Sequence, residues 1–147
     1  MTFGTLPFGS SIIGAQRLTV STNATHGYTT FVYERQALQN ETGTPFTPVA
    51  GTNSSPASWS GGCVATSSGC FGYHPTADVL SGGSTRFAAN DTYARLTTNS
   101  GVPDEISYSG GPVVNRSTDV VYRIEAHTTQ EFGDYSTDVV YIVVPVF

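Results

Sequence analysis

The apolar pattern is densest at the end of the chain. Residues 138–147, DVVYIVVPVF, form an almost unbroken apolar run, the pattern of a strand covered on both faces. It predicts a last strand that ends the chain inside its core. Residues 119–127, DVVYRIEAH, alternate instead, with Val120, Tyr122, Ile124 and Ala126 set against Val121, Arg123, Glu125 and His127. Successive strand residues point to opposite faces, so this period of two predicts a half-buried strand. The connection TTQEFGDYST holds Gly133, suited to a positive φ, and then Tyr135, and predicts that the two strands pair as a hairpin. Tyr135 fits either a corner tyrosine of a Greek-key sandwich, whose hydroxyl bonds back to nearby backbone, or an ordinary cross-strand tyrosine. Near the start, residues 16–22 (QRLTVST) turn Leu18 and Val20 inward, and residues 27–35 (GYTTFVYER) follow the turn NATH. That pattern predicts an N-terminal hairpin.

Between residues 39 and 70 the periodicity fades over a stretch with three prolines, Pro45, Pro48 and Pro56, too long for an ordinary connection. Trp59 and a Cys63–Cys70 clip are the candidates for pinning it. Short β-like pieces follow at 70–73, 86–88, 93–97 and 105–108, separated by Gly, Ser, Asn and Pro, and no apolar pattern persists at helical spacing for three turns. The expectation is one all-β domain over residues 1–147: a single antiparallel β-sandwich, Greek-key or jelly-roll-like, with one long loop.

Composition narrows the partners. Only 12 % of the residues are charged, about half the usual share. All six basic residues are arginines (Arg17, Arg35, Arg86, Arg95, Arg116 and Arg123) and the net charge is −5, so no basic stripe is available for phosphates and nucleic acid is disfavoured as a partner. No apolar stretch reaches the roughly 18 residues of a membrane span. The opening MTFGTLPFGS lacks the charged and apolar regions of a signal peptide; if the protein is secreted, the signal lies upstream.

Catalytic patterns are missing from the sequence. There is no GxSxG elbow, and His26, His74 and His127 stand in no recognisable catalytic setting. The acids include one adjacent pair, Asp104 and Glu105, which a strand would send to opposite faces, away from paired-carboxylate chemistry. His74 and Asp78 in GYHPTADVL are too few for a metal that takes three or four convergent ligands, and a solvent-facing loop position is the simpler reading of each histidine. The expectation is no enzyme, no cofactor and no metal.

Two covalent features remain. Cys63 and Cys70, the only cysteines, bracket the Ser/Gly-rich CVATSSGC, a spacing that a disulfide closes readily in an oxidising compartment. Five of the six asparagines, Asn23, Asn40, Asn53, Asn90 and Asn115, head an N-x-[ST] triplet and are the candidate glycosylation sites.

The segments FGTLPFGSS, LTVSTNATHGYT and VVYRIEAHTTQEFGDYSTDVVYIVVPVF resemble short secreted β-sandwich surface proteins of uncultured small-celled, candidate-phyla bacteria. In that group an FGxL segment precedes a strand LxVxTNAxxGY, a middle section reads FGYxxxD, and the chain closes on GxYxxxVxYIxxPxF. Here those elements are 3–6, 18–28, 71–78 and 133–147. The opening also resembles, more distantly, TasA and camelysin-type fibre subunits, in which a segment of one subunit completes the sheet of the next. The group usually has a further strand upstream of FGxL, absent or cut short here, and fewer acceptor triplets. The resemblance implies an extracellular, cell-surface location and carries no catalytic group.

Together these features suggest a structural subunit of an extracellular filament or surface layer, joined to copies of itself by β-strand addition, with Phe3, Leu6 and Phe8 on the donor segment. The alternative is a carbohydrate-binding or adhesive module, with Trp59, Phe71 and Tyr73 stacking on sugar rings of surface glycans. A viral capsid or tail protein is a third reading.

Overall fold

The computed structural model describes residues 1–63, 69–76, 80–83, 85–99 and 101–147. These form the strands β1 (Ser11–Thr22), β2 (Tyr28–Glu34), β3 (Gln39–Asn40), β4 (Ala57–Ser58), β5 (Cys70–Pro75), β6 (Thr92–Tyr93), β7 (Asp104–Ser109), β8 (Val113–Glu125), β9 (Tyr135–Ser136) and β10 (Val139–Pro145), and a one-turn helix α1 (Trp59–Cys63). Two antiparallel three-stranded sheets, ordered β1-β8-β5 and β10-β2-β7, carry the fold, with β3-β9 and β4-β6 as small accessory pairs. The inward rows close over one core: Val32 of β2 and Ile106 of β7 meet Tyr73 of β5 and Val120, Tyr122 and Ile124 of β8. The chain is all-β, as its alternation implies.

Successive long strands alternate between the two sheets, which corrects both expected hairpins. β1 pairs with β8, from Ser11 opposite Glu125 to Thr22 opposite Val113, and not with β2. β8 takes β1 on one side and β5 on the other, so it has no edge left for β10, which pairs with β2. Period reports which face a residue occupies and says nothing of which strand lies alongside. The turn at Gly27 shows the local cause. Its φ is +75°, and a Cβ there would strike the Ser109 carbonyl, so the chain leaves β1 by passing tightly beneath the end of β7.

The last strand is the second correction. Far from ending inside the core, β10 is a sheet edge, with Ile142, Val143 and Val144 39–46 % exposed and the terminal Phe147 81 % exposed. Within the expected long loop, residues 47–49 run along the outer side of β5: Phe71 N donates to Thr47 O and Val49 N to Phe71 O. That path is pinned as anticipated. Cys63 and Cys70 form a disulfide and pack with Val49, Trp59 and Tyr93 in a second small core.

Candidate functional site

One side of the sandwich is bordered by two edge strands, β1 of one sheet and β10 of the other. Between them lies a groove of about 1220 Å³ whose apolar lining includes Leu38, Phe46, Phe71, Ile124 and Val139. At its base the Tyr122 hydroxyl donates to the Tyr141 oxygen at 2.6 Å, and Tyr141 donates to Gln16 Oε1 at 3.2 Å. Burial raises the pKa of both phenols, which keeps them neutral and able to donate. β10 is thus tied to β8 and β1 across the gap between the sheets by side chains.

The start of the chain forms part of the wall of this groove. Phe3 and Leu6 are half-buried against the core. The Met1 and Phe3 side chains pass over Gly14 of β1, where a Cβ would come within 2.7 Å of Met1 Sδ and 3.2 Å of Phe3 Cε1. Residues 1–7 nevertheless join no strand, and Gly4 bends the segment at φ +74°. Its anchor is at the far end, where Phe8 bridges Ala126, Gly9 N donates to Ala126 O at 2.9 Å, and the Phe8 ring meets Phe132 edge-on at 6.0 Å. Phe8 itself is 46 % exposed. The three expected donor residues therefore sit on their own subunit, two facing inward and one outward, on a peptide held by side-chain burial rather than by a backbone ladder.

The residues expected to stack on sugars are elsewhere and are buried: Trp59, Phe71 and Tyr73 are at most 6 % exposed. Trp59 Nε1 donates to Glu125 Oε2 at 3.1 Å, its ring meets Tyr93 edge-on, and the Arg123 guanidinium lies 4.6 Å above it. A cation over a desolvated indole is worth about 1–2 kcal/mol, so this constellation holds α1 to the sheet and leaves no open aromatic platform. Phe71 stacks on Tyr122, and the Tyr73 hydroxyl accepts from Asn53 Nδ2 at 2.9 Å.

The five acceptor asparagines separate into two groups. Asn23, Asn90 and Asn115 are exposed. Asn40 and Asn53 are buried, which corrects their assignment as glycan carriers. Asn40 Oδ1 accepts from Thr42 Oγ1 and Thr44 N. Asn53 Nδ2 donates to Tyr73 and to Glu105 O, and its Oδ1 accepts from Arg86 at 2.6 Å. A glycan replaces an Nδ2 hydrogen, and the Asn53 donors are both in use.

His74 is also corrected. It is a buried residue of β5 rather than a loop position, with Nδ1–H donating to Thr92 O at 2.7 Å and its ring against Phe87 and Tyr93. Asp78 lies outside the described residues. His26 is exposed and His127 is 3.6 Å from Glu125. Among the described residues no three His, Cys, Asp or Glu side chains converge as metal ligands, and no helix is long and apolar enough to cross a membrane. Tyr135 takes the corner role, its hydroxyl donating to Glu131 O at 2.8 Å, four residues upstream.

Sequence reasoning missed Gln16, Tyr141 and Glu34. Glu34 continues the inward row Tyr28, Thr30, Val32 of β2, so its parity was available in the sequence. It is 6 % exposed, and Oε2 has no hydrogen-bond partner among the described residues. Burial pushes its pKa up to about 7. Comparison with known proteins adds no family to this picture: no family model, no curated protein and no solved structure matches the chain.

Proposed function

We propose that this protein is a structural subunit of an extracellular filament or surface layer, whose copies join when the N-terminal segment of one subunit enters the groove of the next. The observation that carries this reading is the placement of residues 1–8. They form part of the wall of a groove between two sheet edges, with Phe3 and Leu6 packed against the core, yet residues 1–7 belong to no strand. A segment bound by apolar contacts without a ladder can be replaced by an identical segment from a neighbour with no loss of contact. Entering as a strand would add backbone hydrogen bonds. The extracellular location is supported by the disulfide, a bond that persists in oxidising compartments, and by the low charge. The three exposed acceptor asparagines suit a glycosylated outer face.

Deletion of residues 1–8 is expected to leave a folded monomer that forms no polymer by electron microscopy and sedimentation. Polymers unchanged by the deletion would overturn the reading. Carbohydrate binding has lost the aromatic residues that motivated it, and a glycan array is expected to show no binding that depends on Trp59.

A further inference from the structure

The sandwich has four sheet edges, β1 and β5 on one sheet and β10 and β7 on the other. An open edge presents unpaired N–H and C=O groups to any passing strand, and folded proteins blunt such edges with charge, bulges, proline or covering chain. Three of the four are blunted here. The outer side of β5 is covered by Thr47 and Val49 and by Ala94, which exchanges hydrogen bonds with Tyr73 in both directions at 2.9 Å. β7 breaks register with β2 at Thr30/Phe31 and carries Asp104 and Glu105, the latter clamped by Arg86 at 3.0 Å and by Ser81. β1 breaks register near its end, between Val20 and Thr22, and carries the exposed Arg17, paired with Asp119 at 2.7 Å.

Among the described residues, β10 is blunted in none of these ways. Its register with β2 runs without a break from Val139 to Pro145, its one proline is the last residue of the strand, and no charged side chain occurs from Val139 to Phe147. Ile142, Val143 and Val144 are exposed on both faces of the strand.

We infer that the outer edge of β10 is the acceptor for residues 2–8 of a second copy of this chain. This rests on the proposed assembly and specifies which of the two strands bordering the groove is extended. Three observations select that occupant. The subunit's own N-terminal segment lines the same groove as Val139 and Val140, at the start of β10. Donor and acceptor match in chemistry, since residues 1–16 contain no charged side chain and neither does β10. They match in length, residues 2–8 covering the same seven positions as the strand. Pro7 lacks an N–H, and an added strand that becomes the new edge has one side on which that loss is free.

Mixtures of single-cysteine variants test the edge, because a bond between variants forms only between chains. Polymers grown from Thr5→Cys mixed with Val140→Cys are expected to trap a disulfide-linked pair on mild oxidation, and those from Thr5→Cys mixed with Ala15→Cys on β1 are not. Preferential trapping at Ala15→Cys would overturn the β10 assignment while leaving the filament reading in place. Failure of the wild-type chain to polymerise would remove both. A second measurement guards against a poorly folded variant. Ile142→Lys with Val144→Lys, both at exposed positions, is expected to give monomers with wild-type circular dichroism. These fail to polymerise alone and cap growing wild-type polymers through their intact donor. The matched pair Ile13→Lys with Ala15→Lys is expected to polymerise normally. Normal polymerisation of the β10 variant would overturn the inference.

Discussion

Glu34 places a carboxyl oxygen, Oε2, where the described residues supply no hydrogen-bond partner. Burial alone drives its pKa from 4.5 to about 7, so the folded chain holds a proton that the unfolded chain gives up. The sign follows from that difference. Stability from this group is fully present below pH 4.5 and is lost as the pH rises to about 7, above which the curve is flat. At about 1.4 kcal/mol for each pH unit of separation, the full loss is roughly 3 kcal/mol. Urea denaturation across this range is expected to show the decline, and Glu34→Gln, neutral at every pH, is expected to remove it. A slope that persists in the glutamine variant would place the titration elsewhere. The disulfide acts at the same scale through the unfolded chain. Its sequence separation is 7, and closing so short a loop is worth about 2.5 kcal/mol by chain entropy. Cys63→Ser with Cys70→Ser is therefore expected to lower the unfolding free energy by about that amount, measured by denaturation, with the β-sheet circular dichroism retained.

At the scale of elements, the crossing from β1 to β2 decides the topology, and Gly27 makes it passable. A Cβ there would meet the Ser109 carbonyl and, at 2.6 Å, the Gly111 nitrogen, both backbone atoms that cannot step aside, at a φ of +75°. Gly27→Ala is expected to cost at least about 2 kcal/mol by denaturation, whereas alanine at Gly43, with open space around it, bears only the conformational part of that cost. The alternation of β8 was legible because both its faces have settled environments: Val120, Tyr122 and Ile124 inward and Val121, Arg123 and Glu125 at the outer surface. The pairing of β8 was not legible, since β1, β5 and β10 are all apolar enough to lie beside it. β10 was misread for a related reason. An uninterrupted apolar run marks a strand to be covered on both faces, and the sequence does not say whether the cover belongs to the same chain. Likewise the prolines of residues 45–56 mark a path that is not a central strand, while the pairing of Thr47 and Val49 with Phe71 depends on a contact more than 20 residues away. Of the site, Phe3 and Leu6 were legible as apolar positions on a segment without period. Gln16 and Tyr141 were not, because their bond joins two strands whose adjacency no local pattern encodes.

For the whole molecule, assembly is a competition between two placements of one segment, and Gly4 is where they differ. Docked on its own subunit the segment turns at Gly4 with φ +74°, and a Cβ there would have nothing within 4 Å. As a strand on a neighbour the same residue takes a negative φ, which any residue adopts without cost. Alanine at this position therefore penalises the self-docked form by its backbone conformation alone, about 1–2 kcal/mol, and leaves the exchanged form unburdened. The equilibrium between monomer and polymer responds to that difference directly. Gly4→Ala is expected to lower the critical concentration for polymerisation by about tenfold, 1.4 kcal/mol being one factor of ten, and to leave the unfolding of the remaining sandwich unchanged. Sedimentation across a dilution series measures the first quantity and denaturation of a capped monomer the second. A critical concentration that rose instead would mean that the left-handed turn at Gly4 is kept in the polymer, and that the segment docks between subunits in its bent form rather than as a strand.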